Sequence, residues 1–118
     1  MSMDIYNVWF DLKPGTSDVK FVENAQAYLG HLVTAGKIQG FRIMRRKLGL
    51  GPSGLGEFHV AIEVAGLAEL DAAFQHVATR AGPVEGLHAS VNQLVQNASF
   101  ALYRDFPDPF RVRGQEQF

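Results

Sequence analysis

"KLGLGPSGLGEFHVAIEV", residues 47–64, is the stretch on which the fold turns. Gly49, Gly51 and Gly54 have the spacing G-x-G-x-x-G of a dinucleotide-binding turn. That turn works only where its glycines lead from a strand into a helix, whose first backbone amides then hold a pyrophosphate. Here they lead into FHVAIEV, in which Phe58, Val60, Ile62 and Val64 alternate with His59, Ala61 and Glu63, the period of a strand. Pro52 also removes one of the amide donors. The stretch therefore reads as a glycine-rich hairpin loop, residues 38–48 supply the hairpin's other strand, and no cofactor is expected.

Outward from the hairpin, the elements fall into a recognisable order. Asp4–Leu12 alternates Tyr6, Val8, Phe10 and Leu12 with Ile5, Asn7, Trp9 and Asp11 and predicts a first strand. Pro14-Gly15 turns the chain and Thr16 or Ser17 can cap a helix. Val22, Ala25, Leu29, Leu32 and Val33 then recur at helical spacing up to a stop at Gly36. Leu67, Leu70, Phe74 and Val77 predict a second helix ending near Gly82. Pro83 opens a third carrying Val84, Leu87, Val91, Leu94 and Val95, and residues 98–104 form a last strand. The result is an α+β protomer, β-α-β-β-α-α-β, of the ferredoxin-like kind, with helices on one face of a four-stranded antiparallel sheet. Residues 1–106 form one domain, and residues 107–118 (PDPFRVRGQEQF) a C-terminal arm.

Composition narrows the function. A formal net charge of −1 gives no electrostatic footprint for nucleic acid, so no nucleic-acid partner is expected. No apolar run approaches the roughly 20 residues of a membrane span. With no cysteine and no secretory pattern at the N-terminus, the sequence reads as cytoplasmic. None of the four histidines has the spacing of a metal motif, so metal is discounted, and no serine sits in a nucleophile elbow.

The alternation assigns faces. Phe58, Val60, Ile62 and Val64 meet the helices, while His59, Ala61 and Glu63 turn to the other side with Asn7, Trp9, Asp11, Ser99, Ala101 and Tyr103. Phe100 and Leu102 are left for the core. A hairpin closing about Pro52-Ser53 would set Arg46 opposite His59, Met44 opposite Ala61 and Arg42 opposite Glu63, an ion pair across strands. This second face is polar yet carries Trp9, Met44 and Tyr103, which predicts that another copy covers it and that the two sheets form a barrel. Among the histidines, His31 and His76 are displaced from their helices' apolar stripes and read as solvent-facing. His88 lies at the edge of its stripe one turn from Asn92, where it is either a satisfied half-buried side chain or a polar group lining a helix–sheet cavity. His59 is either an interface residue or a general acid–base in a barrel site.

RRKLGLGP (45–52), GEFHV (56–60), EGLHASVN (85–92) and FALYRDFPD (100–108), with IYNVWFDL (5–12), together resemble a family of small, uncharacterised bacterial proteins in the dimeric α/β-barrel superfamily. The resemblance implies a ferredoxin-like protomer that pairs sheet to sheet. Its relatives include cofactor-independent monooxygenases, haem-degrading enzymes, lactone isomerases, polyketide cyclases and stress-responsive proteins. Fold does not choose among them.

Three functions compete. The first is an enzyme or binder of a small, partly apolar molecule, with His59 or His88 as proton acceptor. Asn92 and Asn7 orient the ligand, Trp9, Phe100 and Tyr103 form walls, and Arg42, Arg46 and Glu63 lie in the same site. The second is a non-catalytic homodimer whose polar face only fixes subunit pairing. The third is partner binding through the loop and the basic run Arg45-Arg46-Lys47.

Overall fold

The computed structural model describes residues 3–78, 88–89 and 91–107. Along it run β1 (Asp4–Leu12), α1 (Asp18–Thr34), β2 (Gly40–Arg45), β3 (Phe58–Val64), α2 (Leu67–Ala78) and β4 (Val95–Arg104). The sheet order is β2-β3-β1-β4 with every pairing antiparallel, which is the ferredoxin-like topology. β1 and β3 occupy the ranges expected from their alternation. β2 is shorter than expected because the chain leaves the ladder after Arg45. β4 is longer, and Val95, expected in a helix, begins it. The expected third helix lies mostly outside the described residues, although His88, Ala89, Val91 and Asn92 are helical. The expected arm lies outside them from residue 108 onward.

Ser17 is the N-cap of α1, its hydroxyl accepting from Lys20 N at 3.2 Å, and Gly36 (φ +73°) follows the helix end in a left-handed conformation. The buried stripe of α1 is Phe21, Ala25, Leu29 and Leu32; Val33, expected in it, is exposed. Leu70 and Ala73 are the buried residues of α2. Both helices pack on the even-numbered side of β1 and β3, and the core joins Phe10, Phe21 and Phe58, whose ring centroids are 5.2–5.9 Å apart, to Val60, Val64 and Ile38. Each such fully buried ring or branched chain contributes about 1.5–3 kcal/mol. Gly56 is required by β1 itself: a Cβ there would lie 2.3 Å from the Phe10 carbonyl.

The hairpin differs from its expected register. His59 lies opposite Met44, Ala61 opposite Arg42, and Glu63 opposite Gly40, a shift of two residues. An even shift keeps every side chain on its expected face while exchanging every partner. Its cause is an asymmetric loop: a tight turn with Leu50 N donating to Lys47 O places Leu48 and Gly49 at positive φ on the β2 side, so the loop is not centred on Pro52-Ser53. The glycines of residues 49–54 lie within this β2–β3 connection and lead to no helix.

At the other end of the sheet, β1 and β4 are tied together. Arg104 donates two hydrogen bonds to Asp4 at 2.6 and 3.0 Å, and Met3 and Asp105 exchange Met3 N to Asp105 Oδ2 and Asp105 N to Met3 O. Asp4 is buried, and the Arg104 hydrogen bonds hold its carboxyl below the usual carboxylate range against the opposing effect of burial.

Candidate functional site

The residues singled out by sequence occupy both sides of the sheet. On the side away from the helices, Trp9 on β1 lies directly across from His59 on β3, and the indole and imidazole rings stack with centroids 4.5 Å apart and planes 14° from parallel. Asn7, diagonal to His59, is 6% exposed although none of the described helices packs on this face. Its amide NH2 donates to the carbonyls of Ile5 (3.1 Å) and Ala101 (3.4 Å). That orientation turns Asn7 Oδ1 toward His59 Nε2 at 2.8 Å, so Nε2 carries the hydrogen and Nδ1 keeps its lone pair. Burial lowers the imidazole's pKa below its ordinary value and so favours the neutral ring, while the hydrogen bond to Asn7 fixes which nitrogen carries its hydrogen.

The surrounding charges are arranged differently from expectation. Arg42 faces Ala61 and Glu63 faces Gly40, so the two are not directly opposed, and the ion pair between them is not formed. Arg46 does not face His59; its backbone N–H bonds Glu57 O, and its guanidinium donates to Leu55 O at 2.6 Å and Gly56 O at 3.3 Å, bracing the loop from within. Arg45 is bound to Glu57 and, at 3.1 Å, to Asp18. Two of the three cations of the basic run therefore serve the hairpin itself. Tyr103 sits across from Ile5 at the far end of the face and is exposed.

On the helix side, a cavity of about 620 Å³ opens between the sheet and the helices. His88, Asn92 and Phe100 line it, so these three sequence candidates do meet, but across the sheet from His59, Asn7 and Trp9. Phe100 is 61% exposed instead of sealed in the core, and Leu102 is exposed as well. Phe100 stacks on Tyr6 (centroids 6.0 Å), and Phe74 meets Tyr6 edge-on at 5.3 Å, which builds an aromatic wall. Tyr28 of α1 also lines the cavity, with its ring 5.5 Å from that of His88. Burial pushes the Tyr28 hydroxyl up to about 12, so it remains a hydrogen-bond donor at any physiological pH. Tyr6 is raised by the same cause.

Tyr28 and Tyr6 were missed as site residues, and both had left a signal. Tyr28 falls three residues after Ala25 and four before Leu32, on the apolar stripe, where a hydroxyl needs a reason. Tyr6 was read only as one of the apolar set of β1. His31 and His76, expected to face solvent, are half-buried and stacked on each other at 6.3 Å between α1 and α2. Among the described residues, no group of three or more His, Asp or Glu side chains is arranged to hold a metal ion.

The model of a family of unknown function, DUF6614, matches residues 3–118. The chain belongs to DUF6614. No curated protein matches this DUF6614 sequence. Solved structures share its fold at low identity. A dimeric ferredoxin-like protein of unknown function from Jannaschia sp. CCS1 has a TM-score of 0.64 at 14% identity, covering 86% of this chain and 97% of that one. A similar dimeric protein of unknown function from Thermobifida fusca has 0.58 at 15% identity, over 86% and 90% of the two chains. A variant of SnoaB, a cofactor-independent oxygenase from Streptomyces nogalater, has 0.65 at 6% identity, over 93% and 98%. At these identities the likeness is one of fold. In this DUF6614 member, among the described residues, no helix is long and apolar enough to cross a membrane.

Proposed function

We propose that this protein is a homodimer, paired through the open sheet face, that takes up a small, partly apolar molecule between sheet and helices and acts on it without a cofactor. The observation that carries the reading is the cavity of about 620 Å³, whose aromatic and aliphatic lining is interrupted by Tyr28, His88 and Asn92. Binding sites for small molecules have this size and this ratio of apolar wall to a few polar groups. In the proposed site neutral Tyr28 donates to an oxygen of the ligand, His88 accepts a proton from it, and Asn92 orients it. The dimer is supported by the dimeric state of the similarly folded proteins from Jannaschia and Thermobifida, and by a nearly dry Asn7 on a face that none of the described helices covers. The fold shared with a cofactor-independent oxygenase makes uptake of dioxygen the first reaction to assay.

A second reading, a dimer without catalysis, is favoured by one observation. Asn7, His59 and Trp9 satisfy one another, which suits a structural element better than a reactive one. Native mass spectrometry of the full chain, purified under mild conditions, separates the possibilities. Twice the chain mass with an added small molecule, lost in His88→Ala, is the expected result. A dimer that never carries added mass favours the non-catalytic reading, and a monomer rules out the pairing.

A further inference from the structure

His59 is the one imidazole on the open face, and its surroundings specify its tautomer. The Asn7 amide is held by two backbone carbonyls, so it can offer His59 only an oxygen, and the imidazole answers with Nε2–H. One ring face is covered by Trp9. A proton added at Nδ1 would put a positive charge on a ring already short of water. The charged and titratable groups around it decide whether that charge would be welcome. On β2, the cross-strand neighbour is Met44 and Arg42 is the diagonal, while Arg46, just beyond β2, has its guanidinium on the carbonyls of Leu55 and Gly56. On β1, Asp11 is the acidic diagonal, but its two carboxylate oxygens already accept from Glu57 N (2.9 Å) and Asn97 Nδ2 (3.4 Å). Glu57, just before β3, is bound to Arg45, and on β3 Glu63 lies over Gly40 four residues along from His59. On β4, Ser99 and Ala101 are uncharged, and Tyr103 lies at the far end opposite Ile5. No carboxylate among the described neighbours is therefore left to pair with a charged His59, and Arg42 shares its face.

We propose that His59 makes self-association of this protein pH-dependent: two copies pair through their open faces while the ring is neutral and separate when it is protonated. The inference rests on the dimer reading above and adds its regulation. A second copy laid over this face removes the remaining water from His59, so the dimer binds fewer protons than two free protomers. The sign follows: pairing is complete at and above the ordinary imidazole value, near 6.5, and weakens as pH falls through the lower value that His59 has in the free protomer. A dimer carries two such rings. Each proton taken up on separation changes the dissociation constant by up to about tenfold per pH unit, so the pair gives up to about a hundredfold.

The test is the dissociation constant of the full chain by sedimentation velocity between pH 8 and pH 5, for wild type and for His59→Gln, whose side-chain amide can still donate to Asn7 Oδ1 but does not titrate. The expected result is a wild-type dimer that weakens by about tenfold between pH 7 and pH 5, and a His59→Gln dimer whose constant is flat. Trp9 is the sole tryptophan, so its emission in the wild type follows the stacked ring directly, and its midpoint should coincide with that of dissociation. This second readout stands even if the variant fails to fold. A wild-type dimer of constant affinity down to pH 5 overturns the switch and leaves the dimer standing. A His59→Gln profile that falls like the wild type, or a Trp9 midpoint away from that of dissociation, also overturns it. A monomer at every pH overturns the dimer reading and the switch together.

Discussion

The two faces of the sheet present their polar groups in opposite ways. On the open face Asn7, His59 and Asp11 are each bound within the fold, and the arginine nearest the loop is spent on loop carbonyls. On the helix face Tyr28 and His88, among the described residues, approach each other ring to ring beside a cavity, with an aromatic wall half open to solvent. Groups that satisfy one another hold a shape, whereas groups that face unfilled space can receive something. On the function proposed here, the difference gives stability to one side of β1 and binding to the other, although the two sets alternate along the same few residues.

Substitutions can break or sharpen that contrast. The largest loss of stability is expected for Asn7→Leu, which strands the His59 N–H and two carbonyls; about 3 kcal/mol should appear in urea unfolding, with ligand uptake per folded molecule unchanged. Asp4→Asn removes the charge facing Arg104 at the sheet's end. Because the guanidinium is 41% open to water, the cost should be about 1–2 kcal/mol at pH 7, below that of a fully buried pair. Asp4 has a folded-state pKa below its unfolded value, so its contribution is present above about pH 3.9 and is lost as pH falls through the lower folded value. The gap between variant and wild type should therefore close in acid. Tyr28→Phe should leave the unfolding midpoint nearly unchanged and weaken any co-purified ligand by about tenfold, one hydrogen bond's worth. Phe100→Ser should be smallest, within about 0.5 kcal/mol in stability because the ring is already in water, and should show itself only in ligand retention. A large destabilisation by Tyr28→Phe, or none by Asn7→Leu, would reverse the assignment.

Much of this arrangement was legible in the chain. The period of two in β1 and β3 placed Trp9, Asn7 and His59 together on the face away from the helices, and the glycines before a strand disposed of the nucleotide motif. The partners of the β2 residues were not legible. Strand alternation fixes parity but not register, and only the turn at Lys47–Leu50, with Leu48 at positive φ, sets which rung comes first. The separation of His88 from His59 by the sheet follows from parity and topology. The hydrogen bond from His59 to Asn7 does not, since it depends on how an amide is held by carbonyls of two strands. Phe100 was assigned to the core because of its parity, but lies instead at the cavity's edge on a strand that ends the sheet.

The knot of contacts joining Met3, Asp4, Arg104 and Asp105 gives the molecule a mechanical character. Because β1 begins where antiparallel β4 finishes, tension applied at these two points bears on a single rung at a time. The strands would peel like a zip and not slide past one another under shared load. The ion pair at the top is the first tooth, and the rungs behind it, from Ile5–Tyr103 to Trp9–Ser99, would let go in sequence at low force once it opened.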